Sequence, residues 1–371
     1  MTPRNPVALT AVCLAVFLAC PVSSYADEVD DFVKRVMDQR HIPAAAIAVV
    51  RDGVVVRTAA YGLANIEHRI RARTDTVFKV GSVSKQFLAA GIMLLVQDGR
   101  IAVDDKVSKH LPGTPDTWRD ITLRHLLTHT SGVIREAPGF DPYKPLPDLD
   151  AIRTAFPLPL NFNPGDRYAY SNVGYNVLAE VIRQVSGQPW EAFLNGRIFA
   201  PLGMTSTRPT SVSEIVANRA GGYMWNADTL SNAEDWPAVR PSGAFLSTAE
   251  DMAKWEVALQ TGRILDASST AEMWKPATLN DGKTYPYGFG WELDDFPPGN
   301  FTTGVVSIRH EGTIPGFRAA FTRLPQHHLS VIVLSNLDRA ALDSIVAGIA
   351  VHYEPSLMPA ALRRWEPSSL K

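Results

Sequence analysis

Hydrophobic positions near the start of the chain first follow a helical period and then a strand pattern. In residues 30–40 the apolar side chains gather on one side, which is typical of an amphipathic helix. Residues 44–50 and 54–61 are apolar runs of strand length, and the Asp52-Gly53 pair between them is a hairpin signal. The sequence therefore predicts a helix followed by a β-hairpin.

A second helix is predicted where an apolar run reaches a glycine. Residues 78–80 have an extended character, Gly81 follows, and a helical pattern continues from Ser82 to about Gln97. Gly99 lies just beyond, where many helices end on a left-handed residue. Ser82 is thus predicted at the N-terminal end of a helix.

The middle of the chain has a mainly helical pattern. Four further helices are predicted, at residues 123–130, 172–185, 189–199 and 248–260. Residues 137–166 are rich in proline, which indicates an ordered loop rather than a linker.

Strand patterns return towards the end of the chain. Strands are predicted at residues 287–293, 305–310, 317–324 and 329–334, with a closing helix at 342–352. Strands at both ends with helices between them favour an α+β fold, in which an antiparallel sheet is flanked by helices and a helical domain is inserted.

The predicted insertion divides the chain into two parts. The sheet part comprises about residues 27–80 and 285–371, and the mainly helical insertion comprises about residues 82–284. Ser82 lies at the junction, and a cleft between two such parts is a common place for an active site.

Composition excludes some classes of partner. The 371 residues include 36 Lys and Arg against 38 Asp and Glu, which gives a formal net charge of -2. No basic excess points to nucleic acid or to an anionic membrane surface. The length and the 46% hydrophobic content fit one large domain or two closely packed ones.

Residues 1–26 have the pattern of a secretory leader. A positive Arg4, an apolar run and a small-residue ending at Ala26 predict export and cleavage after Ala26. Cys13 and Cys20 lie within this segment, so the mature chain would contain no disulfide and no catalytic thiol. The alternative is a lipoprotein attached through Cys20. We expect a periplasmic or secreted protein whose mature chain has no transmembrane segment.

The spacing of Ser82 and Lys85 suggests covalent catalysis. Residues three apart at a helix start share one face. A serine hydroxyl becomes a nucleophile when a base takes its proton, and a buried, neutral lysine can be that base. The alternative for Ser82 alone is an ordinary helix cap, and the same spacing recurs at Ser368 and Lys371.

Two later motifs add candidate groups. In Tyr170-Ser171-Asn172, a phenol beside a lysine can share its proton, and an asparagine can hold a substrate amide. In His310-Glu311-Gly312-Thr313, alternation along a strand puts His310 and Gly312 on one face. Each motif alone is also compatible with structural residues.

Taken together, the three motifs resemble the serine β-lactamase and penicillin-binding protein family. The resemblance is closest to its class C β-lactamase, D-alanyl-D-alanine carboxypeptidase and esterase branch, and it extends over nearly all of the mature chain. Supporting segments are Leu126 to Gly132, Pro201 to Met204 and Ser242 to Asp251. The family implies a β-lactamase/transpeptidase-like α+β fold.

The resemblance also implies a role for each site residue. Ser82 would form the acyl-enzyme, while Lys85 and Tyr170 would share the acid and base work. Asn172 would hold the substrate amide, and the backbone N–H groups of Ser82 and Thr313 would form the oxyanion hole. On the opposite side of the cleft, the resemblance implies that His310, Gly312 and Thr313 bind the substrate.

One departure from the family pattern bears on the substrate. Many β-lactamases have Lys-Thr-Gly in the third motif, whereas His310 offers a full charge only when protonated. We therefore expect an exported serine hydrolase that is β-lactamase-like or carboxypeptidase-like. The alternatives are a small-ester carboxylesterase and a module that binds penicillin or cell-wall peptide without turnover. The partner would be a β-lactam, an acyl-D-alanyl peptide or an ester.

Other classes of enzyme have less support. The chain contains no Gly-x-Ser-x-Gly, so an α/β-hydrolase elbow is not indicated. His125 and His129 have a spacing found in zinc sites, but Leu126 occupies the position of the expected glutamate. His327 and His328 would point to opposite faces of a strand. We expect these four histidines to be structural or surface residues and the protein to use no metal or cofactor.

Overall fold

The structure, a computed structural model, describes residues 23–297 and 304–358. Nearly all of the predicted leader, residues 1–26, lies outside the described residues. Within the described part of the chain, no helix combines the length and the apolar character needed to cross a bilayer.

The described residues form eleven α-helices and fourteen strands. The helices are α1 Ser23–Gln39, α2 Ser84–Gln97, α3 Val107–His110, α4 Leu123–Leu127, α5 Asp148–Arg153, α6 Asn172–Ser186, α7 Trp190–Leu194, α8 Ala200–Leu202, α9 Ala249–Thr261, α10 Ala267–Met273 and α11 Asp343–Tyr353. The strands are β1 Ala44–Arg51, β2 Val54–Asn65, β3 Ile70–Arg71, β4 Phe78–Lys79, β5 Arg208–Pro209, β6 Tyr223–Asn226, β7 Thr229–Asn232, β8 Phe245–Ser247, β9 Ala277–Thr278, β10 Thr284–Tyr285, β11 Glu292–Asp295, β12 Val306–Ile314, β13 Phe317–Leu324 and β14 Leu329–Ser335.

A seven-stranded antiparallel sheet combines the two ends of the chain. Its strand order is β11-β12-β13-β14-β1-β2-β3. Ala45 of β1 pairs with Ser335 of β14 on one side and with Tyr61 of β2 on the other. The predicted hairpin is present, since Arg51 pairs directly with Val54. The two residues of its turn, Asp52 and Gly53, have φ values of 51° and 72°. The predicted antiparallel sheet is therefore present.

Helices cover both faces of this sheet. Every second residue of β1, beginning with Ala44, lies in a core that includes residues of α2 and α9. The residues between them, beginning with Ala45, lie in a second core that includes residues of α1 and α11. Because β1 is covered on both faces, its residues 44–50 form a continuous apolar run. The helices between β4 and β11 include α6 and α7, which pack against α2. The division into a sheet part and a helical insertion remains a prediction.

Several elements differ in extent from the sequence prediction. The helix predicted for residues 123–130 ends at Leu127, and His129 adopts a left-handed φ of 58°. The helix predicted for residues 189–199 changes to a wider π turn after Leu194. Tyr287 lies in a loop, since β11 begins only at Glu292, and this loop places the tyrosine in the candidate site.

Candidate active site

Ser82 lies in a tight 3-10 turn that leads directly into α2. The turn comprises Gly81–Val83, and the Val80 N–H donates to the carbonyl oxygen of Phe245 just before it. Gly81 adopts a φ of 52°, a conformation that glycine takes without steric cost. The Ser82 side chain is partly exposed at the N-terminal end of the helix, as the sequence predicts.

Lys85 is completely buried beside this serine. Its Nζ lies 3.1 Å from Ser82 Oγ, 2.8 Å from Asn172 Oδ1 and 2.8 Å from the carbonyl oxygen of Ser242. Burial lowers the pKa of Lys85 well below its usual value. A neutral amine has two N–H groups and one lone pair. Because Asn172 Oδ1 and the Ser242 carbonyl are both acceptors, the lone pair remains for the Ser82 hydroxyl proton.

Tyr170 lies over the same pair of residues. Lys85 Nζ is 4.8 Å from the centre of the Tyr170 ring, and the nearby Ser82 opposes part of the rise in the pKa of Tyr170. Burial is the main reason that the pKa of Tyr170 is raised. A phenol that stays protonated is suited to donate a proton, whereas the neutral amine of Lys85 is suited to accept one.

Asn172 begins α6, and its side chain connects the Lys85 amine to the Glu136 carboxylate. Ser171 caps this helix by accepting from the Gly174 N–H. Asn172 Oδ1 accepts from Lys85, while Nδ2 donates to Glu136 Oε1. The sequence predicts that Asn172 holds a substrate amide. The structure instead engages both ends of its side chain with the protein, with one amide hydrogen left for a substrate.

His310 lies across the cleft on β12 but does not present its imidazole as a charge. The side chain is buried, Nδ1 is 2.6 Å from the Glu311 carbonyl oxygen, and Nε2 is 2.9 Å from the Tyr287 hydroxyl. Burial lowers the pKa of His310 to about 3. Both ring nitrogens are engaged with the protein, and substrate binding by His310 remains a prediction.

Gly312 and Thr313 continue β12 past the Ser82 turn. A Cβ atom at Gly312 would lie 1.8 Å from the Val80 carbonyl oxygen and 3.1 Å from Ser82 N. A Cβ atom at Gly81 would lie 2.9 Å from Thr313 N. The backbone nitrogens of Ser82 and Thr313 therefore both lie at the contact between turn and strand. Gly312 permits this contact because it has no Cβ atom, and the substrate-binding role that the family resemblance implies for it remains a prediction.

A chain of four hydrogen bonds connects the two sides of the cleft. The Ser171 N–H donates to His129 Nδ1, so His129 Nε2 must carry the proton and donate to the Tyr287 hydroxyl at 3.2 Å. The Glu311 carbonyl can only accept, so His310 Nδ1 carries a proton and its Nε2 accepts from Tyr287. Both imidazoles are thereby fixed as neutral tautomers, in agreement with the lowered pKa of each.

Sequence reasoning missed four contributors to this site. They are His129, Glu136, Tyr287 and the carbonyl group of Ser242. The only signal for His129 was its place in a segment shared with the family. His125, by contrast, lies in a helix cap, where its Nδ1 accepts from the Thr122 N–H. In the described residues, no group of three or more potential ligands could hold a metal ion.

Comparison with known proteins relates this geometry to one family. Penicillin-binding protein 4* of Bacillus subtilis (strain 168) is 29% identical over 320 residues, which are 81% of this chain and 69% of that protein. The octameric penicillin-binding protein homologue from Pyrococcus abyssi has 25% identity and a TM-score of 0.73, over 88% of this chain and 77% of that one.

A further solved structure shows the same fold. D-amino acid amidase from Ochrobactrum anthropi SV3, complexed with D-phenylalanine, has 24% identity and a TM-score of 0.74 over 91% of this chain and 100% of that one. The predicted β-lactamase/transpeptidase-like α+β fold is therefore confirmed. The chain spans about two thirds of the length of the curated relatives it matches, 69% and 64% for two of them.

The match to a family model decides the assignment. The model for beta-lactamase matches residues 29–352, which include all of the motifs described above. The resemblance predicted from those motifs is confirmed, and the chain belongs to the beta-lactamase family.

Proposed function

We propose that this protein is a serine hydrolase that cleaves an amide or ester carbonyl through an acyl-enzyme on Ser82. One observation supports the proposal above all others. Lys85 Nζ lies 3.1 Å from Ser82 Oγ, its two other contacts are acceptors for the two N–H groups of a neutral amine, and burial lowers its pKa well below the usual value. A serine hydroxyl becomes an activated nucleophile when a neutral amine beside it can accept its proton.

Acylation follows from this arrangement. Lys85 accepts the Ser82 proton as Ser82 Oγ attacks the carbonyl carbon, and the charge on the carbonyl oxygen is stabilised by the N–H groups of Ser82 and Thr313. The C–N or C–O bond then breaks. Tyr170 donates a proton to the leaving group and is reprotonated from Lys85, which restores both side chains.

Deacylation repeats the same proton transfers with water. A water molecule that takes the place of the leaving group gives one proton to Lys85 through Tyr170 and attacks the ester carbonyl. Ser82 Oγ leaves and recovers its proton. The product is a carboxylic acid, and the rate of this second step decides whether the protein turns over or stays acylated.

Two substrate classes agree with the site. The first is the amide carbonyl of a β-lactam or an acyl-D-alanyl peptide, in line with the penicillin-binding name of the Bacillus subtilis relative. The second is a small ester, for which a neutral His310 is the supporting observation. A carboxylated substrate gains most from a cation near its charge, and the His310 imidazole remains neutral.

Mass spectrometry with benzylpenicillin and with p-nitrophenyl acetate tests the proposal. We expect turnover of at least one probe, with any trapped acyl group on Ser82, and loss of both in Ser82→Ala. Ser84→Ala is the matched control, because the Ser84 hydroxyl accepts from the Phe245 N–H in the same turn. A stable penicillin adduct with no turnover of either probe would indicate a binding module. Activity retained in Ser82→Ala would overturn the proposal.

We also propose that the protein acts outside the cytoplasm, on a small molecule or peptide. The support is the leader pattern of residues 1–26. The N-terminal sequence of the protein recovered from periplasm or culture medium should begin near Asp27. A lipid-modified N-terminus at Cys20 would favour the lipoprotein alternative, and an intact Met1 would contradict both.

A further inference from the structure

The two sides of the cleft indicate where the leaving group lies. The Tyr170 ring, which donates the proton to the leaving group in the proposed mechanism, has its centre 6.3 Å from that of His310. Thr313, whose N–H would stabilise the carbonyl oxygen, is three residues further along the same strand. A leaving group protonated by Tyr170 therefore departs over the stretch of β12 between His310 and Thr313.

An arginine lies beside the exposed end of this stretch. Arg318 pairs directly with Thr313 across the β12–β13 ladder, and its Nη1 donates to Thr313 Oγ1. Thr313 is exposed and the Arg318 side chain retains 25% of its exposure. Because the His310 imidazole is neutral, Arg318 is the group that a leaving-group carboxylate would use.

Glu311 cancels this charge. Arg318 Nη2 donates to Glu311 Oε2, and Arg309 Nη1 lies 3.6 Å from Glu311 Oε1. Arg309 also lies 3.3 Å from Glu292 Oε2 and 3.1 Å from Asp343 Oδ1. The connected group thus contains three carboxyl groups and two guanidinium groups. With all five ionised, the patch beside Thr313 is negative rather than positive.

We propose that Glu311 makes the site selective for substrates whose leaving group has no carboxylate. The inference rests on the proposed function, and it narrows the substrate class to esters and amides with an uncharged leaving group. A leaving-group carboxylate over β12 would lie beside Arg318, which is already paired, and beside the carboxylate of Glu311. An uncharged leaving group of the same shape meets no such repulsion.

Two esters that differ only in this charge provide the test. The acetyl esters of 3-hydroxybenzamide and of 3-hydroxybenzoate share shape and ester bond, and only the second has a carboxylate. Each kcat/KM is divided by the rate constant for hydroxide hydrolysis, to remove intrinsic reactivity. In wild type, we expect this normalised kcat/KM to favour the benzamide ester by roughly five- to thirtyfold at low salt.

Glu311→Gln releases Arg318 and should bring the ratio to about one, or invert it. Glu292→Gln is the matched control: it removes one carboxylate from the same patch, but this carboxylate pairs with Arg309 rather than with Arg318, so the ratio should stay within about twofold. A wild-type ratio near one, a preference for the benzoate ester, or an unchanged ratio in Glu311→Gln would each overturn the inference.

A second measurement on wild type does not depend on the folding of a variant. Burial and the nearby Asp343 raise the pKa of Glu311 to about 7, against the opposing effect of Arg318 and Arg309. Below this pH Glu311 becomes neutral. The preference should therefore shrink between about pH 8 and about pH 5.5, and also between about 0.02 M and about 0.5 M NaCl. A ratio that stays constant under both changes would contradict the inference.

Failure of this inference is distinguishable from failure of the proposed function. If both esters are cleaved in a Ser82-dependent way and Glu311→Gln leaves the ratio unchanged, only the inference is wrong. If Ser82→Ala cleaves both esters as fast as wild type does, the proposed function itself is wrong.

Discussion

Gly312 of β12 contacts the backbone of Val80 so closely that a Cβ atom at position 312 would lie 1.8 Å from the Val80 carbonyl oxygen. No rotamer can relieve this clash, because both partners are backbone atoms. The contact fixes how far the Ser82 turn lies from β12. It thereby fixes the separation of the two N–H groups proposed to stabilise the reacting oxygen, which must match within a fraction of an ångström.

Gly312→Ala should therefore reduce activity more than any other small change on β12. We expect kcat to fall at least about a hundredfold, because the strand must move away from the turn and the oxyanion site opens. Gly196→Ala is the control, since a Cβ atom there meets nothing within 4 Å and the backbone needs no positive φ. Steady-state kinetics beside a thermal melt would separate loss of geometry from loss of folding. Near-normal kcat in Gly312→Ala would show that the strand position is not critical.

Lys85 should be irreplaceable by arginine. The base must be neutral, and a guanidinium does not lose its proton in proteins. Lys85→Arg and Lys85→Ala should both lower the acylation rate by roughly a thousandfold or more. Single-turnover kinetics with a chromogenic ester measure this step directly. An arginine variant with more than about a tenth of wild-type acylation would remove Lys85 from the proposed mechanism.

Glu136 should set the pH at which the enzyme becomes active. Among the charged neighbours of Lys85, Glu136 has the largest effect and raises the pKa of the lysine, against the larger effect of burial. Glu136→Gln removes this negative charge, so Lys85 should lose its proton at a lower pH. The acid limb of the kcat/KM profile should then move to lower pH.

The control for this shift is Glu191→Gln, on an exposed part of α7. It changes the net charge equally but lies outside the hydrogen-bond network of Asn172. An acid limb that moves to higher pH in Glu136→Gln, or that moves equally in Glu191→Gln, would contradict the assignment.

His310 should make folding less favourable in acid. In the unfolded chain the imidazole has an ordinary pKa of about 6.5, whereas in the folded protein burial lowers this pKa to about 3. Between these values the unfolded state binds more protons, so the free energy of unfolding decreases as the pH falls below about 6.5. The limiting slope is about 1.4 kcal/mol per pH unit.

Urea denaturation at a series of pH values would measure this slope. His310→Gln should have a smaller slope than wild type between about pH 6.5 and about pH 4, because one titrating group is lost. His68→Gln, at an exposed position, should behave as wild type does. Equal slopes in all three proteins would contradict the lowered pKa of His310 in the folded protein.

Much of the fold could be predicted because local sequence signals define the ends of several helices and strands. The strand predicted for residues 317–324 has the bounds of β13, and the Asp52-Gly53 turn has the predicted place. In both cases local alternation and turn residues are sufficient to define the element. The helix predicted for residues 123–130 was too long, since the left-handed conformation of His129 depends on contacts made elsewhere in the structure.

The site was predictable only in part, for a similar reason. The Ser82, Lys85 and Asn172 side chains are brought together as the first two motifs suggest. The neutral state of His310 was not predictable, because it follows from burial and from the Tyr287 hydroxyl contributed by a loop. The Ser242 contact is made by a backbone carbonyl, which no side-chain motif reveals.

The position of β1 in the sheet has a consequence for how the protein reaches its native state. Ala45 pairs with Ser335, so β1 acquires its second neighbour only after synthesis has reached Ser335. Pairings of such high sequence separation are slow to form, since a very long loop must be closed first. Until then the β1–β2 hairpin exposes an apolar edge that is prone to aggregation. A chain that ends before Leu329 should therefore accumulate in aggregates rather than as a soluble fragment.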